Sequence, residues 1–148
     1  MKRLLSILLA VCLMFSMLPF SSAANYESST AEVFDLGDGY SCEITTHVIS
    51  SSHSRMINQI VTSDQTATVK SNGKIIGTFV LYGTFSYNGT SARATASDWD
   101  ASAASGYSYD GDSYCSGASV RGSCTFSGGG TTKTVSLKIT CDENGNIS

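Results

Sequence analysis

The stretch Lys74-Ile75-Ile76-Gly77-Thr78-Phe79-Val80-Leu81-Tyr82-Gly83-Thr84-Phe85-Ser86-Tyr87 decides the fold. Ile75, Phe79, Leu81, Phe85 and Tyr87 share one parity, with Gly77 and Gly83 among them. Ile76, Thr78, Val80, Tyr82, Thr84 and Ser86 share the other. Side chains two apart lie on one face of an extended chain. One face is therefore apolar and the other mixed, as a strand of a sandwich or barrel requires. Asn72-Gly73 precedes this run and Asn88-Gly89 follows it. Asn-Gly is the favoured pair for a two-residue hairpin turn, because both positions need positive φ. The pattern predicts a meander of strands over residues 65–71, 74–87 and 90 to about 98.

The same alternation continues outward. Ala118, Val120, Cys124 and Phe126 alternate with Ser119, Arg121, Ser123 and Thr125. Ser127 and three glycines form a turn, after which Val135, Leu137, Ile139 and Cys141 alternate with Thr134, Ser136, Lys138 and Thr140. Toward the N-terminus a strand is expected over residues 40–49, with Cys42, Ile44 and Val48 inward. A polar loop is expected over 50–55, and a strand or short helical turn over 56–61. Residues 25–37 read as a loose lead-in. Six to eight short strands with regular turn signals point to an all-β chain. The expected fold is a small antiparallel β-sandwich of immunoglobulin-like size over residues 38–148. A small open β-barrel is the alternative.

Residues 1–24 read as a secretory signal peptide. Met1, Lys2 and Arg3 form a basic start, and Leu4 to Leu18 is apolar except for Ser6 and Ser16. Pro19, Phe20, Ser21, Ser22, Ala23 and Ala24 follow, so small residues stand at the positions a signal peptidase reads before a cut after Ala23 or Ala24. The apolar run is shorter than the ~20 residues of a membrane span. Lipidation at Cys12 is disfavoured, because Val11 is too large for the residue before a lipidated cysteine. Removing 24 of 148 residues leaves 124, the size of one domain. Two of nine basic residues leave with the signal and all twelve acidic ones stay, so the net charge goes from −3 to −5. An acidic domain without basic clusters argues against nucleic acid and against anionic membrane surfaces as partners. The expected location is extracellular.

Cys42, Cys115, Cys124 and Cys141 remain after cleavage. An even number in an exported chain reads as two disulfide bonds. If Phe126 faces Thr131 across the glycine turn, Cys141 falls near Cys115 or Ser116. Cys124 and Cys141 would then lie about eight strand steps apart, roughly 27 Å, whereas bonded cysteines need Cα atoms within about 7 Å. That geometry favours Cys115–Cys141 and Cys42–Cys124. No two of these cysteines have zinc-knuckle spacing, so no metal or other cofactor is expected.

No catalytic motif stands out. His47 and His53 are the two histidines. Neither belongs to a nucleophile elbow, a zinc-protease helix or a phosphate loop. His47 falls on the parity that faces solvent, and His53 lies among serines. Between Asp98 and Tyr114, aromatics stand beside carboxylates: Trp99, Tyr107, Tyr109, Asp110, Asp112 and Tyr114. Read as a loop, this set suits a sugar, because rings stack on a pyranose and carboxylates accept its hydroxyls. Asp110 and Asp112 could instead share a calcium ion with backbone carbonyls. In the structural reading Trp99 anchors the core and the tyrosines alternate along a polar strand edge. Asp142-Glu143-Asn144-Gly145-Asn146 is similar to a calcium loop, but its glycine is misplaced and a solvated turn is expected. Asn88-Gly89-Thr90 and Asn146-Ile147-Ser148 are glycosylation sequons.

Several runs carry a resemblance. They are Asp38-Gly39-Tyr40 with Ile44, Asn72-Gly73, and Gly83-Thr84-Phe85-Ser86-Tyr87-Asn88-Gly89-Thr90-Ser91-Ala92. Lys133-Thr134-Val135 with Leu137 and Thr140-Cys141-Asp142-Glu143-Asn144-Gly145-Asn146-Ile147-Ser148 complete them. Together they resemble an uncharacterised group of small secreted β-rich proteins of Gram-positive gut bacteria. The resemblance spans most of the mature chain and implies no activity, ligand or catalytic residue. The chain departs from that group around Tyr107 to Cys124, where it has extra tyrosines and two cysteines.

The expected function is that of a secreted, non-enzymatic module that binds carbohydrate or protein at a cell surface or has a structural role. The competing classes are a small secreted effector or toxin and, behind it, a hydrolase.

Overall fold

The computed structural model describes residues 26–50 and 58–148. The leader, His53, residues 51–55 of the expected polar loop, and the start of the segment expected over 56–61 lie outside the described residues. Eight strands follow one another: β1 (Tyr26–Gly37), β2 (Tyr40–Ser50), β3 (Gln59–Ser71), β4 (Lys74–Tyr87), β5 (Ala92–Ala103), β6 (Tyr107–Ser116), β7 (Ser119–Gly128) and β8 (Thr131–Thr140). They form two antiparallel sheets, β1-β2-β3-β4-β5 and β6-β7-β8. Each strand pairs with its chain neighbour except at residues 104–106, where the chain changes sheet. There Tyr107 N donates to Ala104 O at 3.0 Å, and Gly106 takes φ +88°, a conformation open to glycine. The three-stranded sheet stacks over β3, β4 and β5, and the sheets do not close into a barrel. The fold is a small all-β sandwich.

β4 forms the centre of the core. Phe79, Leu81 and Phe85 are fully buried against Val120, Phe126 and Ile139 of the other sheet. The first turn of the parity pattern is corrected, however. Ile76 is buried and Ile75 is 57% exposed. Val69 pairs with Gly77 and Lys70 with Ile75, so Ile76 is an extra residue in a β-bulge. A bulge shifts the alternation by one residue, which turns Ile76 inward and Ile75 outward.

Asn72-Gly73 makes the expected two-residue turn, with φ +48° and +79° and Ser71 paired with Lys74. Asp38-Gly39 makes another, with φ +56° and +78°, and pairs Gly37 with Tyr40. That turn brings residues 26–37 into the sheet as edge strand β1, where a loose lead-in was expected. Asn88-Gly89 does not make a two-residue turn. Tyr87 pairs with Ala92, leaving a loop of residues 88–91. Asn88 Oδ1 accepts from Thr90 N at 3.1 Å and Ser91 N at 3.0 Å, the side-chain turn that favours asparagine in longer loops.

The five-stranded sheet is wider than its partner. Beyond the free edge of β8, the inner face of β1 and β2 is partly uncovered. Phe34, Leu36, Ile44 and Val135 line a shallow apolar groove of about 250 Å³ there. β8 is tied to β3 where Lys138 N donates to Gln65 Oε1 at 3.2 Å.

The expected disulfides are not present: Cys42, Cys115, Cys124 and Cys141 are free thiols. Cys115 lies on β6, opposite Val120 of β7. Cys141 follows β8 and donates its N–H to Ala118 O at 3.0 Å. β7 therefore stands between Cys115 and Cys141, and two strand spacings are about 9.5 Å, beyond the ~7 Å reach of a disulfide. Cys42 lies on β2 beside the groove at the β8 edge. Cys124 lies on β7, the strand packed over β4 and β5, so the two are displaced sideways in opposite sheets. Phe126 pairs with Lys133 and not with Thr131, so the register on which the expected pairings rest is shifted by two residues.

Candidate functional site

Trp99, Tyr107, Tyr109, Asp110, Asp112 and Tyr114 do not form one constellation. The segment from Asp98 to Tyr114 is two strands joined by residues 104–106, so its side chains alternate between faces. Trp99 faces inward from β5. Its ring lies 6.1 Å from that of Phe79, and a methyl at Gly111 would touch it at 3.1 Å. Glycine at 111 makes room for the indole between the sheets. Tyr107 and Tyr109 occupy the inward row of β6, opposite Gly128 and Phe126. Tyr109 stays 46% exposed only because β6 is an edge strand. Asp110, Asp112 and Tyr114 point outward, opposite Thr125, Ser123 and Arg121. The six residues of the expected binding set thus divide: Trp99 and Tyr107 pack partly buried against the core, Tyr109 shares their inward row but stays exposed, and Asp110, Asp112 and Tyr114 face outward.

Tyr107 belongs to a polar plug at one end of the sandwich. The Tyr40 hydroxyl hydrogen-bonds with Thr131, Ser71 and Tyr107, and the first of these does most to lower its pKa. The Tyr107 hydroxyl is pushed up, chiefly by its bond with Tyr40. Lys133 Nζ lies 4.8 Å from the centre of the Tyr40 ring and donates to Leu36 O at 3.0 Å. These groups satisfy one another and tie β1, β2, β6 and β8 together.

The outward half of the set opens onto a groove that the sequence did not mark. On the outer face of the three-stranded sheet, Asp112, Tyr114, Arg121, Ser123, Ser136 and Lys138 line a depression of about 390 Å³. Two cross-strand rows build it. Asp112, Ser123 and Ser136 form one; Tyr114, Arg121 and Lys138 form the next. Asp112 Oδ1 accepts from Ser123 Oγ at 2.7 Å and Ser123 N at 3.2 Å, which fixes the carboxylate to the sheet. Tyr114 is 52% exposed. An aromatic ring, a carboxylate, two hydroxyls and two cations thus converge on one concave surface.

Arg121, Ser123, Ser136 and Lys138 were legible in the sequence only as the polar parity of two strands. Their meeting depends on the turn between those strands. Gly129-Gly130 is a two-residue turn with φ +59° and +78°, and it sets Arg121 opposite Lys138. A Gly-Gly pair between alternating runs is a hairpin signal in its own right.

His47 faces outward as expected. Its Nδ1 lies 3.0 Å from Asp64 Oδ2. A hydrolytic site would add a nucleophile on the imidazole. The neighbouring Ser63 is buried and donates its hydroxyl to His47 O at 2.7 Å, so it is turned into the core. The turn at Asp142 closes on itself: Oδ1 accepts from Asn144 N at 2.9 Å and Asn146 N at 2.8 Å, and Oδ2 from Asn146 Nδ2 at 2.7 Å. Those hydrogen bonds hold the Asp142 pKa below its ordinary value, that of the Asn146 side chain foremost. No group of three or more His, Cys, Asp or Glu side chains suited to a metal ion occurs among the described residues. Comparison of the chain with protein-family models, with curated proteins and with solved structures gives no match.

Proposed function

We propose that this chain is a non-enzymatic binding module that works outside the cytoplasm and holds a carbohydrate on the outer face of its three-stranded sheet. The observation that carries this reading is the groove between Tyr114, Asp112, Arg121 and Lys138. A pyranose offers an apolar face and a rim of hydroxyls. The exposed Tyr114 ring suits the former. The free Oδ2 of Asp112 and the Ser136 hydroxyl suit the latter. Small-ligand sites combine a concave surface with a few fixed polar groups in this way. The export signal read at residues 1–24 supports an extracellular setting.

A glycan array probed with the mature domain tests the reading, followed by titration calorimetry on wild type and Tyr114→Ala. Tyr114 is exposed, so its removal should leave stability within about 0.5 kcal/mol. Binding of a defined oligosaccharide, lost in Tyr114→Ala at unchanged melting temperature, is the expected result. A domain that binds no glycan, or binds one equally well without Tyr114, overturns the proposal.

A further inference from the structure

We infer that the sugar held on this face is acidic, a saccharide bearing a carboxylate, and that Arg121 and Lys138 are the groups that bind its charge. This inference rests on the reading of the outer face as a sugar site and names its ligand class.

Arg121 and Lys138 are direct cross-strand partners on β7 and β8. Side chains so placed have Cβ atoms about 4.5–5.5 Å apart, and like charges in that position repel. Neither cation has a carboxylate partner among the described residues. The ion pairs found there engage His47, Lys70 and Lys133 instead. The nearest carboxylate in the groove, Asp112, is held by Ser123 one row away. In a chain of net charge −3, two adjacent unpaired cations in a concave site form a local exception to the prevailing charge. A bound oxyanion would remove the repulsion and supply the missing partner. The guanidinium fork matches the two oxygens of a carboxylate, and the ammonium adds a point charge beside it.

The rest of the face limits what carries that carboxylate. Asp110 and Asp112 lie in the two rows beyond Arg121. They would repel a densely charged surface or polymer, such as an anionic bilayer or a nucleic acid. A single carboxylate on an otherwise neutral, hydroxyl-rich body meets Arg121 and Lys138 in one row, with the Tyr114 ring beside them, and Asp112 and Ser136 in the next. That is the description of an acidic sugar within a short saccharide.

The experiment is calorimetric titration of the mature domain with four short oligosaccharides. One ends in glucuronic acid, one in its methyl ester, one in glucose and one in a sulfated glucose. The acid is expected to bind at least about tenfold tighter than its ester or the neutral sugar, with affinity falling as salt rises. Arg121→Ala and Lys138→Ala should each cost about tenfold for the acid, the scale of one charge-assisted hydrogen bond, and less than about twofold for the ester. Both residues are exposed or on the surface row, and circular dichroism with a melting curve confirms folding. Equal binding of acid, ester and neutral sugar, lost in Tyr114→Ala but unmoved by Arg121→Ala, overturns the acidic ligand and leaves the sugar site standing. Preference for the sulfated sugar overturns the carboxylate. Binding of none of the four, together with a silent glycan array, overturns the sugar site itself.

Discussion

Phe126 of one sheet fills the space that a side chain would occupy at Gly77 of the other. The contact is a knob into a hole across the sandwich, and the hole is the missing Cβ. Gly77→Ala is predicted to overlap the Phe126 ring, which is 1% exposed and has little room to retreat in a close-packed core. Overpacking of this kind costs about 1–3 kcal/mol. Urea unfolding should show the loss in Gly77→Ala. Thr78→Ala, on the outer face of the same strand, serves as the control and should stay within about 0.5 kcal/mol. Equal stability of the two variants would mean that Phe126 is free to move.

The residues around Gly77 also show what the sequence could and could not disclose. Phe79, Leu81 and Phe85 were legible as one buried row because period-two alternation survives in a single strand. Ile76 was not, because its inward turn depends on a bulge in the pairing with β3, and one chain read alone carries no register. Trp99 was legible as a core anchor and the tyrosines as alternating along a strand edge, but a binding loop was equally open, since a carboxylate-rich strand edge and a binding loop have the same composition. Arg121 and Lys138 were hidden by two residues of hairpin register. With Phe126 opposite Thr131, Arg121 would have faced Ser136. With Phe126 opposite Lys133 it faces Lys138.

The thiols should differ sharply in reactivity. Cys115 is exposed, whereas Cys42, Cys124 and Cys141 are buried. Burial pushes the Cys124 thiol up to about 11, and the Asp110 carboxylate adds to the effect. Burial raises Cys42 and Cys141 as well. The thiolate is the reactive species. Iodoacetamide at pH 8 should therefore modify Cys115 quickly and the other three only after denaturant is added, read by peptide mass mapping. A Cys42–Cys124 or Cys115–Cys141 bond in the non-reduced map would contradict the strand arrangement.

Asp142 should make the C-terminal turn sensitive to acid. Its carboxyl pKa is lowered in the folded chain. The stabilising contribution is therefore complete above the unfolded carboxylate value of about 3.9 and is lost as pH falls through the depressed folded value. The turn positions Ser148, whose N–H donates to Thr140 O at 2.9 Å and whose carbonyl accepts from Thr140 N at 2.7 Å. Amide exchange at Asn144, Asn146 and Ser148 should accelerate at the acid end of that window. In Asp142→Ala it should be fast at neutral pH already. Asp142→Asn keeps an acceptor but has no titratable proton, so its exchange should not change with pH beyond the intrinsic rate. An acid transition that persists in Asp142→Asn would assign it to another carboxyl.

The Arg121–Lys138 pair should cost the unliganded domain stability, and salt should relieve that cost. Like charges directly opposite on a sheet destabilise by roughly 0.2–1 kcal/mol. Arg121→Gln and Lys138→Gln should each raise the unfolding free energy measured in urea at low ionic strength by an amount in that range. The gain should shrink as salt is added, because the Debye length falls from about 30 Å at 0.01 M to 3 Å at 1 M. Once one charge is gone the repulsion is gone, so the double variant should be no more stable than either single one. That non-additivity is the mark of two residues acting on each other. Variants that are less stable than wild type at every salt concentration would show instead that the long side chains contribute through their packed stems. In that case the two cations would be held by the sheet for packing, and their charges would have no unmet partner to find.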